Sequence, residues 1–289
     1  MPRRKSKKNG TCRSVSESFQ EYGRGVAGGL MFSLPLLYTM EVWWAGFNAH
    51  PWRLAAYVLA TFVLLLGYNR YAGLRHDAGM TEVAIDSVEE LGLGFIIAAL
   101  ALFLLGRITT EMPVNEIAGQ IVIEAMTVAI GVSVGTAQLG GDKEDEGIEG
   151  DGGSKGQSEI HFGGQTLLAF CGATLFAANV APTEEIVMIA IEISWLRLIG
   201  LAFVSLLIGS LILHYSEFTG AREFVRTDNL NTVVVGSIIT YAVALFAAAL
   251  ILWFFGRFDG VSLYTSLAQV IVLGVAATLG ASAGRLLLQ

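Results

Sequence analysis

The sequence predicts an all-α, polytopic membrane protein of about eight transmembrane helices in two tandem four-helix repeats of the same orientation. Three observations predict it. The 289 residues are 54% hydrophobic and only 15% charged, with a mean hydropathy of +0.60, whereas soluble domains are about 25% charged. The apolar residues fall in runs near the ~20 residues that cross a bilayer as a helix. The second half also echoes the first. Gln120, Gly131, Ser133 and Gly135 recur 149 positions later as Gln269, Gly280, Ser282 and Gly284. Gly106-Arg107 recurs after 150 positions, Tyr68 and Gly73 after 147, and Thr39-x-Glu41 after 144, as Thr183-x-Glu185. Four matches in one order at a nearly constant offset indicate duplication. An even helix count per repeat relates the halves by an axis along the membrane normal.

In chain order, residues 1–25 form a basic tail whose Arg3, Arg4, Lys5, Lys7 and Lys8 suit anionic lipid headgroups. Nucleic acid is not an expected partner, because no aromatic side chain is interleaved with these charges. The first repeat, 26–139, holds apolar runs at 26–47, 52–68, 83–105 and 114–137, with polar turns such as Asn48-Ala49-His50-Pro51 between them. Residues 140–162 form an acidic, Gly-rich linker with almost nothing apolar to bury, which predicts a solvated tether. Its Asp142-x-Glu144-x-Glu146-Gly147 approximates a calcium loop, but Gly153 stands where the bidentate Glu belongs. The second repeat, 163–289, holds runs at 165–181, 184–214, 230–255 and 261–287. The run 184–214 is too long for a perpendicular span at ~1.5 Å per residue, so its first turns are expected to project, tilt or lie in the interface.

Fourteen of the 18 Lys and Arg residues lie on the side of the N-terminus and four, Arg53, Arg107, Arg197 and Arg257, on the other. By the positive-inside rule both termini are cytoplasmic. The two cysteines, Cys12 and Cys171, offer neither a disulfide framework nor a metal spacing.

Carboxylates inside apolar runs carry the functional reading, since charge near the bilayer centre costs ~2.5–3.5 kcal/mol on insertion scales and marks a partner, a cavity or an ion path. Glu124 lies ten residues into the fourth run, about 15 Å along a helix, with Gln120 one turn away on the same face. The second repeat keeps the amide as Gln269 but places Leu273 opposite Glu124, which suits one shared central path better than two equal ones. Glu41 follows Pro35, which removes a helical hydrogen bond and frees a carbonyl. Glu184 and Glu185 follow Asn179 and Pro182-Thr183. Helix-start chemistry, with Thr183 as N-cap, is a sufficient reason for them, while the match to Thr39-x-Glu41 keeps a role at the outer mouth open. Glu90, with Asp86 and Glu89, opens the third helix on the cytoplasmic side, where a helix N-terminus is again sufficient reason, yet Glu90 is placed to reach the lumen. Gly131-x-x-x-Gly135 and Gly280-x-x-x-Gly284 let helix backbones approach and predict tight packing of the two equivalent helices.

The stretches Leu34-Pro35-Leu36-Leu37-Tyr38-Thr39-Met40-Glu41 and Asn179-Val180-Ala181-Pro182-Thr183-Glu184-Glu185 resemble a family of uncharacterised integral membrane proteins of bacteria. The resemblance covers about residues 28–288. It implies a bacterial inner-membrane location and brings no activity or substrate.

Enzyme chemistry is not expected. His50, His76, His161 and His214 are scattered, and the chain has no His-Glu-x-x-His, no Gly-x-Ser-x-Gly elbow and no phosphate loop. No cofactor is implied. The favoured reading is a transporter or channel for a cation, coupled to protons, whose path runs by Glu124, Glu41, Gln120, Gln269, Glu185, Glu184, Asn179 and Glu90. This oxygen-rich, sulfur-free set suits protons or hard cations. The alternative is a non-transporting membrane scaffold or sensor whose buried acids are protonated packing groups. The lipid bilayer is the obligatory partner, and a homo-oligomer is compatible with either reading.

Overall fold

The computed structural model describes residues 15–73, 79–138, 162–215 and 230–287. The basic charges Arg3 to Lys8, the acidic linker and Gly220 lie outside the described residues, whereas residues 15–25, expected in the tail, are helical. Among the described residues the chain is helical throughout. α1 (Val15–Leu37) carries Pro35 in its last turn. Two residues after it ends, Thr39 is extended at φ −97°, ψ 115°, and its N–H and hydroxyl turn back to the carbonyls of Leu36 and Pro35. α2 (Met40–Asn48) is only nine residues long. It stops because Pro51 disfavours helix at the residue before it, and Pro51 itself opens α3 (Pro51–Tyr71) at a position where its missing N–H costs nothing. α4 (Met80–Leu104) and α5 (Val114–Gln138) complete the N-terminal half.

The C-terminal half begins with α6 (Phe162–Val180). It breaks at Ala181-Pro182-Thr183 and continues through α7 (Glu184–Glu192) and α8 (Trp195–Tyr215) to α9 (Leu230–Phe254) and α10 (Leu263–Leu287). Helix lengths recur in order, at 9, 21, 25 and 25 residues for α2 to α5 and again for α7 to α10. Gly106 and Gly256 adopt the same left-handed turn, at φ 66° and 70°. After the first, Arg107 N–H reaches Leu102 O at 2.8 Å; after the second, Arg257 N–H reaches Leu252 O at 2.9 Å. Each turn returns orphan carbonyls of a helix end to hydrogen bonds.

Two predicted runs are corrected. Residues 26–47 are not one helix, because Pro35 and the extended Thr39 break it. Residues 184–214 are two helices separated by Ile193-Ser194, so the excess length is a separate nine-residue helix, α7. Ser194 is a good helix-start residue, but no Gly or Pro between Glu184 and Ile199 marks the break. Among the described residues six helices, α3, α4, α5, α8, α9 and α10, are long and apolar enough to cross a membrane. There are seven if α6 and α7, bent by 89° at their break, count as one.

α5 and α10 are the most buried of these spans. α1 packs on α5 and α6 packs on α10, each through glycine. A Cβ on Gly28 would meet the Gly131 carbonyl at 2.6 Å, and one on Gly172 would meet Gly284 Cα at 2.9 Å. The glycine pairs therefore do not bring the equivalent helices α5 and α10 together; each receives the first helix of its own half. The halves meet where α3 touches α6, where Tyr57 stacks on Phe254 at 4.1 Å, and where Arg53 pairs with Asp259 at 3.0 Å.

Candidate functional site

The glycine contacts fix what Glu124 faces. Gly131 lies against Phe32 of α1, and farther along α5 Gln120 lies against Gly46 of α2. Glu124 shares a face with both, being one turn from Gln120 and two from Gly131. It therefore faces the break between α1 and α2. Glu124 is fully buried, and neither carboxylate oxygen has a hydrogen-bond partner among the described residues; nor does Gln120 Oε1. Tyr57 of α3 lies beside Glu124 and Thr127, its hydroxyl short of a well-aligned bond to Thr127. A bare buried carboxylate costs several kcal/mol. The position is electrostatically complete only with a proton on Glu124 or a cation beside it.

In the C-terminal half, Gly284 lies against Leu168 and Gly280 against Phe176. By the same register Leu273, also fully buried, faces the break after α6. Leucine here fills the place that a carboxylate holds in the other half. Gln269 is kept, and its Nε2 donates to the Arg257 carbonyl at 3.2 Å. The Arg257 guanidinium donates to the Pro182 carbonyl within that break. Half-burial lowers the pKa of Arg257, and the nearby Glu184 and Glu41 carboxylates oppose that shift. Glu41 is half-buried in the first turn of α2, and Glu184 and Glu185 are exposed in the first turn of α7. Glu41 thus stands after the helix break, not within a continuous span. Thr183 occupies the cap position but makes no side-chain cap bond; its hydroxyl turns back to Val180 O at 2.8 Å. Asn179 Nδ2 ties α6 to α1, donating to Phe32 O at 3.1 Å.

With this geometry in place, the sequence profile of one family matches residues 21–288, under the description "Putative integral membrane protein (DUF2391)". The chain belongs to this family. No curated protein and no solved structure matches it. For this member of the DUF2391 family the membrane assignment is therefore carried by both the family and the apolar helices.

Glu90 lies apart from the other predicted residues. It accepts from Asn69 Nδ2 at 2.7 Å. The same amide reaches Ser87 Oγ at 3.1 Å, and Ser133 Oγ donates to Asn69 Oδ1 at 2.9 Å. One asparagine on α3 thus knits α4 to α5. The cluster borders a cleft of about 40 Å³ that Glu21, Asp86 and Glu89 also line.

In this DUF2391 chain the eight predicted residues therefore fall into three groups rather than one continuous lining. Glu124 and Gln120 lie on α5. Glu41, Glu184 and Gln269 gather around Arg257, with Asn179 just before the break and Glu185 at the surface. Glu90 is with Asn69. Sequence reasoning missed Arg257, Asn69 and Tyr57. Arg257 was visible in the Gly106-Arg107 match, but the other two left no signal. Among the described residues no group of three or more His, Cys, Asp or Glu is gathered closely enough to hold a metal.

Proposed function

We infer that the protein carries or conducts a cation across the membrane, with protons as the coupling ion, and that Glu124 is the group the ion or proton meets. The observation that carries this reading is the fully buried Glu124, whose two oxygens have no hydrogen-bond partner among the described residues and whose place on α5 lies between its contacts with α1 and α2. Broken helices supply backbone carbonyls to coupling ions at the repeat interfaces of transporters. Gln120 adds a neutral oxygen one turn away.

The same reading takes the chain as two repeats of one ancestral unit, with eight crossings by α1, α3, α4, α5, α6, α8, α9 and α10. Nine-residue α2 and α7 are too short to cross and form elbows at the outer face. The recurring helix lengths, the paired Gly106 and Gly256 turns and the Gly28 and Gly172 contacts support the duplication. The Lys and Arg distribution supports cytoplasmic termini, and the bacterial resemblance supports an inner-membrane location.

Purified protein in liposomes, assayed for cation-driven pH change, tests the function. Flux with at least one of Na⁺, K⁺, Ca²⁺, Mg²⁺ and Mn²⁺, lost in Glu124→Gln, is the expected result. Absence of flux with all five favours the scaffold or sensor.

A further inference from the structure

Resting on the cation reading, we propose that Arg257 is a tethered cation acting as a stopper at the α6–α7 break, its guanidinium holding a backbone oxygen that an incoming cation would otherwise take. The backbone aims it there. The left-handed Gly256 starts the turn, Arg257 N–H is held by Leu252 O at 2.9 Å, and Gln269 Nε2 holds the Arg257 carbonyl at 3.2 Å. The side chain then reaches the Pro182 carbonyl. That oxygen belongs to a helix break, and carbonyls at such breaks are the ligands that discontinuous helices offer to small cations. The guanidinium thus takes an oxygen that a mobile cation would use.

The surrounding charge has the same sense. Glu184 opens α7 and Glu41 opens α2, one from each half, and both act on Arg257. They reach it through the field rather than through an ion pair, so a competing cation can displace it without first separating a bidentate contact. The matching arginine shows that the turn alone does not demand this placement. Arg107 follows Gly106 in the same backbone geometry, yet its guanidinium lies 4.6 Å from the ring centre of Trp43 and its Nε donates to the Leu105 carbonyl, not to a carbonyl between α1 and α2.

Thiol labelling from outside tests the stopper without measuring transport. The reporter is Leu273→Cys, one turn inward of Gln269, in a chain carrying Cys12→Ser and retaining the buried Cys171. Adding Arg257→Gln is expected to raise the labelling rate by a membrane-impermeant methanethiosulfonate several-fold, and Arg107→Gln to leave it unchanged. An unchanged rate with Arg257→Gln, or an equal rise with Arg107→Gln, overturns the proposal. Should Arg257→Gln not accumulate, Arg257→Lys is read by the same criterion, since it keeps the charge but loses the forked reach to Pro182: a rise supports the stopper and no change overturns it. A rise in labelling combined with no flux from the wild type overturns the transport reading alone.

Discussion

Glu124 and Ser133 point to opposite sides of α5. They are nine residues apart, about two and a half helical turns, and Ser133 is bonded to Asn69 while Glu124 has no partner. A single polar stripe down this helix is therefore ruled out as the connection between Glu124 and the Glu90 cluster. Any ion passing both must go around α5 or wait for it to move.

Glu124 is the residue whose replacement separates function from packing. Glu124→Gln is expected to abolish flux with yield and folding intact, because the amide keeps the shape but cannot ionise. Glu124→Leu, which copies Leu273, is expected to be inactive yet more stable by about 1–3 kcal/mol, since an unpartnered polar group leaves the core. Denaturation in detergent reads the second effect. An active Glu124→Leu protein would remove this residue from the mechanism.

The glycine contacts predict a matched pair of packing defects. Gly28→Val and Gly172→Val each force a side chain against a facing backbone and should cost about 1–3 kcal/mol or more. Gly92, whose Cβ would meet nothing within 4 Å, is the control. Gly92→Ala should be neutral or stabilising by about 0.5–1 kcal/mol. Thermal unfolding monitored by size-exclusion recovery distinguishes them.

Asn69→Ala should cost about 1–3 kcal/mol, because it leaves Glu90 and Ser133 buried without their shared partner. Combining it with Glu90→Ala should restore part of the loss, with a coupling of about 0.5–3 kcal/mol in a double-mutant cycle. Additive losses would mean that the hydrogen bond contributes nothing. Arg53→Ala, by contrast, breaks a solvent-facing pair and should cost only about 0–1 kcal/mol.

Introduced cysteines at Asn48 and Asp259 should be labelled from outside, and those at Ser6 and Ser154 only after permeabilisation. The reverse pattern at either pair would overturn the proposed orientation.

Much of the helical layout was legible because hydropathy and turn chemistry agree locally. Residues 114–137 were expected and Val114–Gln138 is found; residues 230–255 were expected and Leu230–Phe254 is found. The two breaks were harder for opposite reasons. Pro35 was noticed, but it is tolerated in the last turn of α1 and the chain leaves the helix only at Thr39. Ile193-Ser194 carries no breaker at all. Within the candidate site, Glu124 could be read from its neighbours because charge in an apolar run is costly wherever the run lies. Asn69 and Tyr57 could not, since their importance comes from which helices happen to surround them. That Arg257 reaches Pro182, 75 positions away, is a property of the folded chain alone.

The backbone contact between Gly28 and Gly135 also has a consequence for how the chain is made. α1 carries Glu21 and Arg24 and is not among the helices apolar enough to cross a membrane unaided. The surface that receives it belongs to α5, which leaves the ribosome only after α2, α3 and α4. Until then α1 has only its smaller contact with α4. If α1 crosses the bilayer as proposed, its commitment is expected to follow insertion of α5, and a chain truncated before Val114 should leave α1 unanchored.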